Sequence, residues 1–171
     1  MPGFYLPDVV TGRNFQPADF RNFKGTLVVF LCRHCPYVVH MRDELLRIAG
    51  EFAPAGLGTF AVCSNDSAKY PDDAPAMLRD MAMDLKWPFP LLHDENQRTA
   101  RSFGAVCTPD TFLYDGSHKL FYRGRFDAST PGNGKPSTGN DLRAAVNALL
   151  AGSPPPADQF PSIGCSIKWK T

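Results

Sequence analysis

Within residues 31–40, LCRHCPYVVH, two cysteines stand two residues apart. That spacing serves three chemistries. Cys32 and Cys35 could open and close a disulfide, bind a soft metal, or pair a peroxide-attacking thiol with a neighbour that resolves it. Pro36 follows at once and has no N–H to donate.

Such thiols need a rigid mount, and the flanking residues supply one. LVVFL (27–31) is a short apolar run that suits a strand buried on both faces. VVHMRDELLRIAGEF then carries apolar residues at Val38, Leu45, Ile48 and Ala49, with Gly50 as a stop, and predicts a helix. A cysteine pair at this junction lies at a helix N-terminus, where free N–H groups and the dipole favour thiolate over thiol. Arg33 and His34 add positive charge nearby. Cys32 is therefore expected to attack and Cys35 to resolve. Pro36 complicates this order because it biases Cys35 away from helical backbone. If the helix begins at Pro36, Cys35 becomes its cap and enters the dipole field. Sequence alone leaves open which thiol attacks first.

A second strand is expected over 58–64, GTFAVCS, which makes a parallel strand–helix–strand unit with the first. Residues 65–73 form a polar loop. Met77, Leu78, Met81 and Leu85 then recur at helical spacing, and this methionine stripe reads as core packing rather than a copper site. DENQRTARSFGA predicts a helix closed by Gly104. DTFLYD and KLFYRGR predict a hairpin turning at Asp115–Gly116–Ser117–His118. Residues 124–139, rich in Gly, Pro, Ser and Thr, are expected to form a mobile loop. NDLRAAVNALLAG predicts an amphipathic helix capped by Asn140 and stopped by Gly152, with Leu142, Val146, Leu149 and Leu150 facing inward. After the linker SPPPADQFP comes a tail, SIGCSIKWKT, whose Ile163, Ile167 and Trp169 should dock on the domain. The expected organisation is one α/β domain over 1–152, with 153–171 as its Pro-rich linker and docked tail.

Bulk properties narrow the field. A chain of 171 residues suits one domain with a substantial core. A net charge of +1 gives no reason to expect nucleic acid or an anionic membrane as partner. No apolar run approaches the ~18 residues that span a bilayer. The N-terminus lacks the basic and apolar regions of a secretory signal, so the expected compartment is the cytoplasm. Five cysteines with only one close pair do not make a disulfide framework and suit a reducing compartment. Zinc would need four ligands, and without a second pair the shell would have to draw on His34, His40, Cys107 or Cys165. His40 reads instead as a helix-face or boundary residue, and His93 and His118 as loop residues. No metal or other cofactor is expected.

These residues also carry a resemblance. Cys32–Arg33–His34–Cys35–Pro36 after LVVFL, followed by DENQRTARSFGAVCTPDTFLYDG, resembles the thioredoxin superfamily. The resemblance implies a thioredoxin-like fold, a three-layer α/β/α sandwich around a central mixed β-sheet. It further implies that Pro109 is a cis-proline, preceded by Thr108, that faces the cysteine pair and binds a substrate's extended backbone. Three motifs are similar to a redoxin, AhpC/TSA-type bacterial subgroup of thioredoxin-like and peroxiredoxin-like proteins. They are Cys32–Arg33–His34–Cys35–Pro36–Tyr37–Val38, then Ser64–Asn65–Asp66 with Tyr70–Pro71, and Gly164–Cys165–Ser166–Ile167–Lys168–Trp169.

In peroxiredoxins the peroxide-attacking cysteine stands at the position of Cys35 and is followed by proline, as here. That family also places Thr or Ser three residues earlier and an Arg beside the peroxide, where this chain has Cys32 and Pro109. Arg123 or Arg125 could substitute, although each reads as a solvated charge at a strand end. Both departures favour thioredoxin-type exchange.

The expected function is thus a thiol–disulfide oxidoreductase that uses Cys32 and Cys35. Thr108, Pro109, Arg33, His34 and Pro36 would shape the substrate site. Its partners would be protein dithiols, protein disulfides or small thiols. Two alternatives stay open: a thiol peroxidase that acts on hydroperoxides through Cys35, and a non-enzymatic copper-binding module. Cys63 reads as a small buried hydrophobe. Cys107, two residues before Pro109, is a candidate auxiliary thiol, with packing the simpler role. Cys165 lies in the docked tail, where a resolving or regulatory role stays open, but nothing in the sequence brings it to Cys32.

Overall fold

The computed structural model describes residues 1–171. Two short strands, β1 (Leu6–Pro7) and β2 (Asn14–Phe15), form an N-terminal antiparallel pair. The chain then enters β3 (Gly25–Phe30), whose six residues are all buried. Helix α1 (Pro36–Phe52) leads to β4 (Leu57–Cys63), which runs parallel to β3. Helix α2 (Pro75–Asp84) and strand β5 (Leu91–His93) follow, then helix α3 (Arg98–Phe103). Strands β6 (Cys107–Thr108), β7 (Asp110–Asp115) and β8 (Leu120–Gly124) precede helix α4 (Asn140–Leu150) and a last strand, β9 (Cys165–Ser166). The five-stranded sheet has the order β5-β4-β3-β7-β8. β3, β4 and β5 are parallel, whereas β7 and β8 run antiparallel to their neighbours.

Side-chain alternation along β3 explains why there are three layers. Leu27 and Val29 join one core with α1, α2 and α4, including Leu45, Ile48, Leu78, Met81, Leu142 and Val146. Val28 and Phe30 join the other core with Phe4, Phe60, Phe103, Phe112 and Ile167. A strand covered on both faces has to be apolar throughout. In α1, Val38, Met41, Leu45, Ile48, Ala49 and Phe52 are buried at three- and four-residue spacing, the signature of a helix lying on a core. Met81 is buried in the first of these cores, as the methionine stripe suggested. Glu44, also buried on α1, is held by Arg143 of α4 at 2.7 Å and by Arg47 at 2.7 Å.

Several boundaries differ from expectation. Gly50 does not end α1; the helix runs on to bury Phe52, and the turn comes at Gly56 with φ +105°. Gly139, not Asn140, caps α4, and Asn140 is its first residue. The reason lies in Asp127, whose carboxylate accepts the N–H groups of Ser129, Thr138 and Gly139, each at 2.7 Å. Those bonds also pin both ends of the 124–139 segment, which sequence reading took as mobile. β5 was not foreseen because three residues between Pro90 and a polar stretch carry no periodicity. It places His93 in a buried strand rather than a loop.

Candidate active site

Strand β3 ends at the cysteine pair. The Leu31 N–H still donates to Val62 O at 2.9 Å, so the chain stays registered on β4 up to Cys32. Cys35 then takes extended backbone (φ −68°, ψ 122°) as the N-cap of α1, and its carbonyl accepts the first helical bond, from Val39 N–H at 3.0 Å. Pro36 falls at the first helical position, where the missing N–H would have had no partner. The proline that looked awkward therefore decides the geometry. It puts Cys35, not Cys32, against the helix terminus.

Thr108 faces both sulfurs. Its Oγ1 lies 3.4 Å from Cys32 Sγ, and its carbonyl accepts from the Cys35 thiol at 3.0 Å. The Thr108–Pro109 peptide bond is cis. On the other flank, Asp73 is completely buried. Its carboxylate accepts the Arg33 N–H and the Asn65 amide, both at 2.8 Å, and lies 2.9 Å from His34 Nδ1. The His34 ring stacks on Tyr70 with the planes 9° apart. The loop carrying Arg33 and His34 is thus clamped to the Asn65–Asp73 loop. Neither Asn65 nor Asp73 was given a role from sequence, because a buried carboxylate inside a polar loop leaves no pattern; only the resemblance marked the first of them.

The two thiols divide one proton unequally. A hydrogen bond from Cys32 holds the Cys35 thiol down at about 4; burial opposes this, while the Cys165 thiol, the Cys165 N–H and the Val38 N–H support it. Cys32 is pushed up by that same bond, by burial and by the negative charge of Asp73. When Cys35 is protonated, its proton is the one given to the Thr108 carbonyl. The geometry favours Cys35 rather than Cys32 as the thiolate, since the helix N-terminus belongs to Cys35.

The tail docks through Ile167 and Trp169 as expected, whereas Ile163 stays half exposed. β9 pairs antiparallel with β6, matching Cys165 to Thr108 and Ser166 to Cys107. Gly164 is required there, because a Cβ would stand 2.1 Å from the Thr108 carbonyl oxygen. Beyond the strand, Ile167 N–H donates to Val106 O at 3.2 Å, and Lys168 N–H to Asn65 Oδ1 at 2.9 Å. Gln97 donates to Lys168 O and accepts from Lys170 N–H, both at 2.8 Å. The Arg101 guanidinium covers the Trp169 ring at 4.5 Å. The motif Gly164–Trp169 is thereby accounted for residue by residue. The thiols beside it are sealed from solvent, with Cys32 1% and Cys35 0% exposed.

Other candidates stand apart. Cys107 is buried and its thiol pushed up to about 12, mainly by burial, which leaves it a packing residue. Cys63 is wholly buried in β4. Arg123 is engaged with the Gly104 carbonyl at 2.6 Å, and Arg125 with Asp141 at 2.5 Å, so neither is free to serve Cys35. Cys32, His34 and Asp73 bring one potential ligand atom each within 4.8 Å of one another. As a metal site this trio fits poorly, because the Asp73 carboxylate is already engaged by the Arg33 N–H and the Asn65 amide.

A cysteine pair at the end of the central strand of this sandwich defines a protein of the thioredoxin-like fold. The chain belongs to the AhpC/TSA family, whose family model matches residues 1–123. Among solved structures, a hypothetical protein from Sinorhizobium meliloti 1021 is 43% identical, with 99% of this chain and 92% of that one covered and a TM-score of 0.97. An uncharacterised conserved protein from Geobacillus kaustophilus is 45% identical over 99% of this chain and 89% of that one, also with a TM-score of 0.97. A thiol:disulfide interchange protein of the thioredoxin family from Chlorobium tepidum TLS shares the fold at 17% identity, with coverages of 87% and 94% and a TM-score of 0.67. No curated protein matches the chain in sequence.

Proposed function

We propose that this protein is a thiol–disulfide oxidoreductase working through Cys32 and Cys35, with Cys35 as the attacking thiolate. The observation that carries the reading is the placement of Cys35 at the head of α1, with Thr108 spanning both sulfurs. Thiolate is the species that attacks a disulfide. In the reductive direction, Cys35 thiolate attacks a partner disulfide, forms a mixed disulfide and releases one partner thiolate. Cys32 then attacks Cys35 Sγ, the Cys32–Cys35 disulfide forms, and the second partner thiol leaves with the Cys32 proton. Arg33, His34 and Pro36 act here through backbone placement, and Thr108 and Pro109 form the wall opposite. Protein dithiols or small thiols supply or accept the electrons, and the cysteine pattern suits the cytoplasm.

A thiol peroxidase is the second reading, favoured by the family and by the low thiol pKa of Cys35. Against it stand the engaged arginines and Cys32 itself, which fills the place of the family's Thr or Ser. Titration in glutathione buffers, with every cysteine mapped by mass spectrometry, tests the exchange reading, and the rate at which hydroperoxide oxidises Cys35 to a sulfenic acid separates it from the second. Exchange requires a reversible Cys32–Cys35 disulfide with a midpoint between about −120 and −270 mV. Failure to form it at any poise rejects the proposal.

A further inference from the structure

The pair is buried, yet an exchange enzyme has to meet partners. The tail is fixed by β-pairing on Thr108, by the Asn65 and Gln97 bonds to its backbone, and by the burial of Ile167. Lifting it would break all of these at once. Cys165 lies in that tail opposite Thr108, whose carbonyl is 3.0 Å from Cys35 Sγ, and it is the one cysteine of the five that is not fully buried. Cys165 helps to hold the Cys35 thiol down and Cys35 in turn raises the Cys165 thiol, as neighbouring groups do.

We propose that Cys165 is a third redox cysteine, the relay through which the buried pair exchanges with external thiols and disulfides by way of a Cys35–Cys165 disulfide. This rests on the exchange reading above. Starting from the Cys32–Cys35 disulfide, Cys165 attacks Cys35 Sγ; the Cys35–Cys165 bond forms, the Cys32–Cys35 bond breaks, and Cys32 takes up the proton that Cys165 loses. No electrons are gained or lost in this step. An external thiolate next attacks the outward sulfur, Cys165 Sγ, and Cys35 departs as thiolate. Cys35 is the best leaving group of the three, since a thiol of low pKa leaves fastest. A second external thiol releases the first as a disulfide and returns Cys165 to the thiol. In sum, two external thiols become one disulfide and the protein disulfide becomes a dithiol; the reverse sequence reduces an external disulfide.

The test oxidises the full-length protein and its Cys32→Ser and Cys165→Ser variants with glutathione disulfide. Disulfides are mapped by mass spectrometry of unreduced peptides, and the rate of reduction of each oxidised protein by dithiothreitol is measured. The relay requires an intramolecular Cys35–Cys165 disulfide in Cys32→Ser. It also requires Cys165→Ser to form Cys32–Cys35 normally, which shows it folded, yet to be reduced about tenfold or more slowly than wild type. If Cys32→Ser yields only glutathione adducts, or Cys165→Ser is reduced as fast as wild type, the relay is overturned while the exchange reading stands. If wild type never forms Cys32–Cys35, both fall.

Discussion

Gly164 and Thr108 pass so closely that a Cβ on Gly164 would stand 2.1 Å from the Thr108 carbonyl oxygen. That oxygen is also the acceptor for the Cys35 thiol, so one carbonyl fixes the tail on one side and the thiol on the other. Gly164→Val should therefore push β9 off β6 and uncover the pair. Iodoacetamide labelling followed by mass spectrometry should show Cys32 and Cys35 reacting faster in Gly164→Val than in wild type. Unchanged labelling would mean that the tail does not seal the site.

Asn65 joins the two flanks of the site, donating to Asp73 at 2.8 Å and accepting from Lys168 N–H at 2.9 Å. Asn65→Ala leaves a buried carboxylate short of one donor and a tail N–H without its acceptor. The expected cost is about 1–3 kcal/mol. Hydrogen exchange should rise together at Arg33 and Lys168, although the two lie 135 positions apart in sequence. A rise at only one of them would break the claimed linkage.

Reduced protein should absorb near 240 nm as one thiolate at neutral pH, and lose that absorbance as pH falls through about 4. Cys32→Ala removes the principal donor and should move this titration upward by about one unit or more. The sign for stability follows from the depressed folded value. Cys35 thiolate stabilises the fold fully above the ordinary thiol value of 9.0, and this contribution is lost as pH falls toward about 4. The stability difference between reduced wild type and Cys35→Ser, followed by urea denaturation, should shrink across that window. A difference that grows with acidity would refute the assignment.

Phe103 packs edge-on against Phe30, Phe112 and Tyr114, with centroids 5.4 to 5.9 Å apart. Phe103→Ala should cost about 3–5 kcal/mol, because α3 has few other anchors on the sheet. Calorimetry gives the loss directly, and a cost under about 1 kcal/mol would show that the cavity collapses.

Much of this architecture could be read from the chain. The all-apolar run at β3, the three-four spacing in α1 and the Gly104 stop each obey a local rule, and each element is where that rule puts it. What escaped was non-local. Which cysteine holds the helix terminus turned on a single proline, and the helix that starts at Pro36 gives that place to Cys35 rather than to the expected Cys32. The partnership of Cys165 with Thr108 joins positions 57 apart through a two-residue strand too short for periodicity to register. Asp73 is a clamp only because three partners from separate segments converge on it.

The linker before the tail has a consequence of its own. Arg125 N–H donates to Phe160 O at 2.8 Å, Ser162 Oγ to Gly124 O at 2.9 Å, and the Arg125 guanidinium lies 4.3 Å over the Phe160 ring, so the linker is fastened along the end of β8. Even a short flexible tether gives an attached group an effective concentration of about millimolar, and a fastened one that presents its group in register exceeds this. In the relay proposed above, Cys165 would compete for Cys35 against the whole dissolved thiol pool from a position of local excess. Free thiols present at millimolar levels would be the minority reagent at that sulfur.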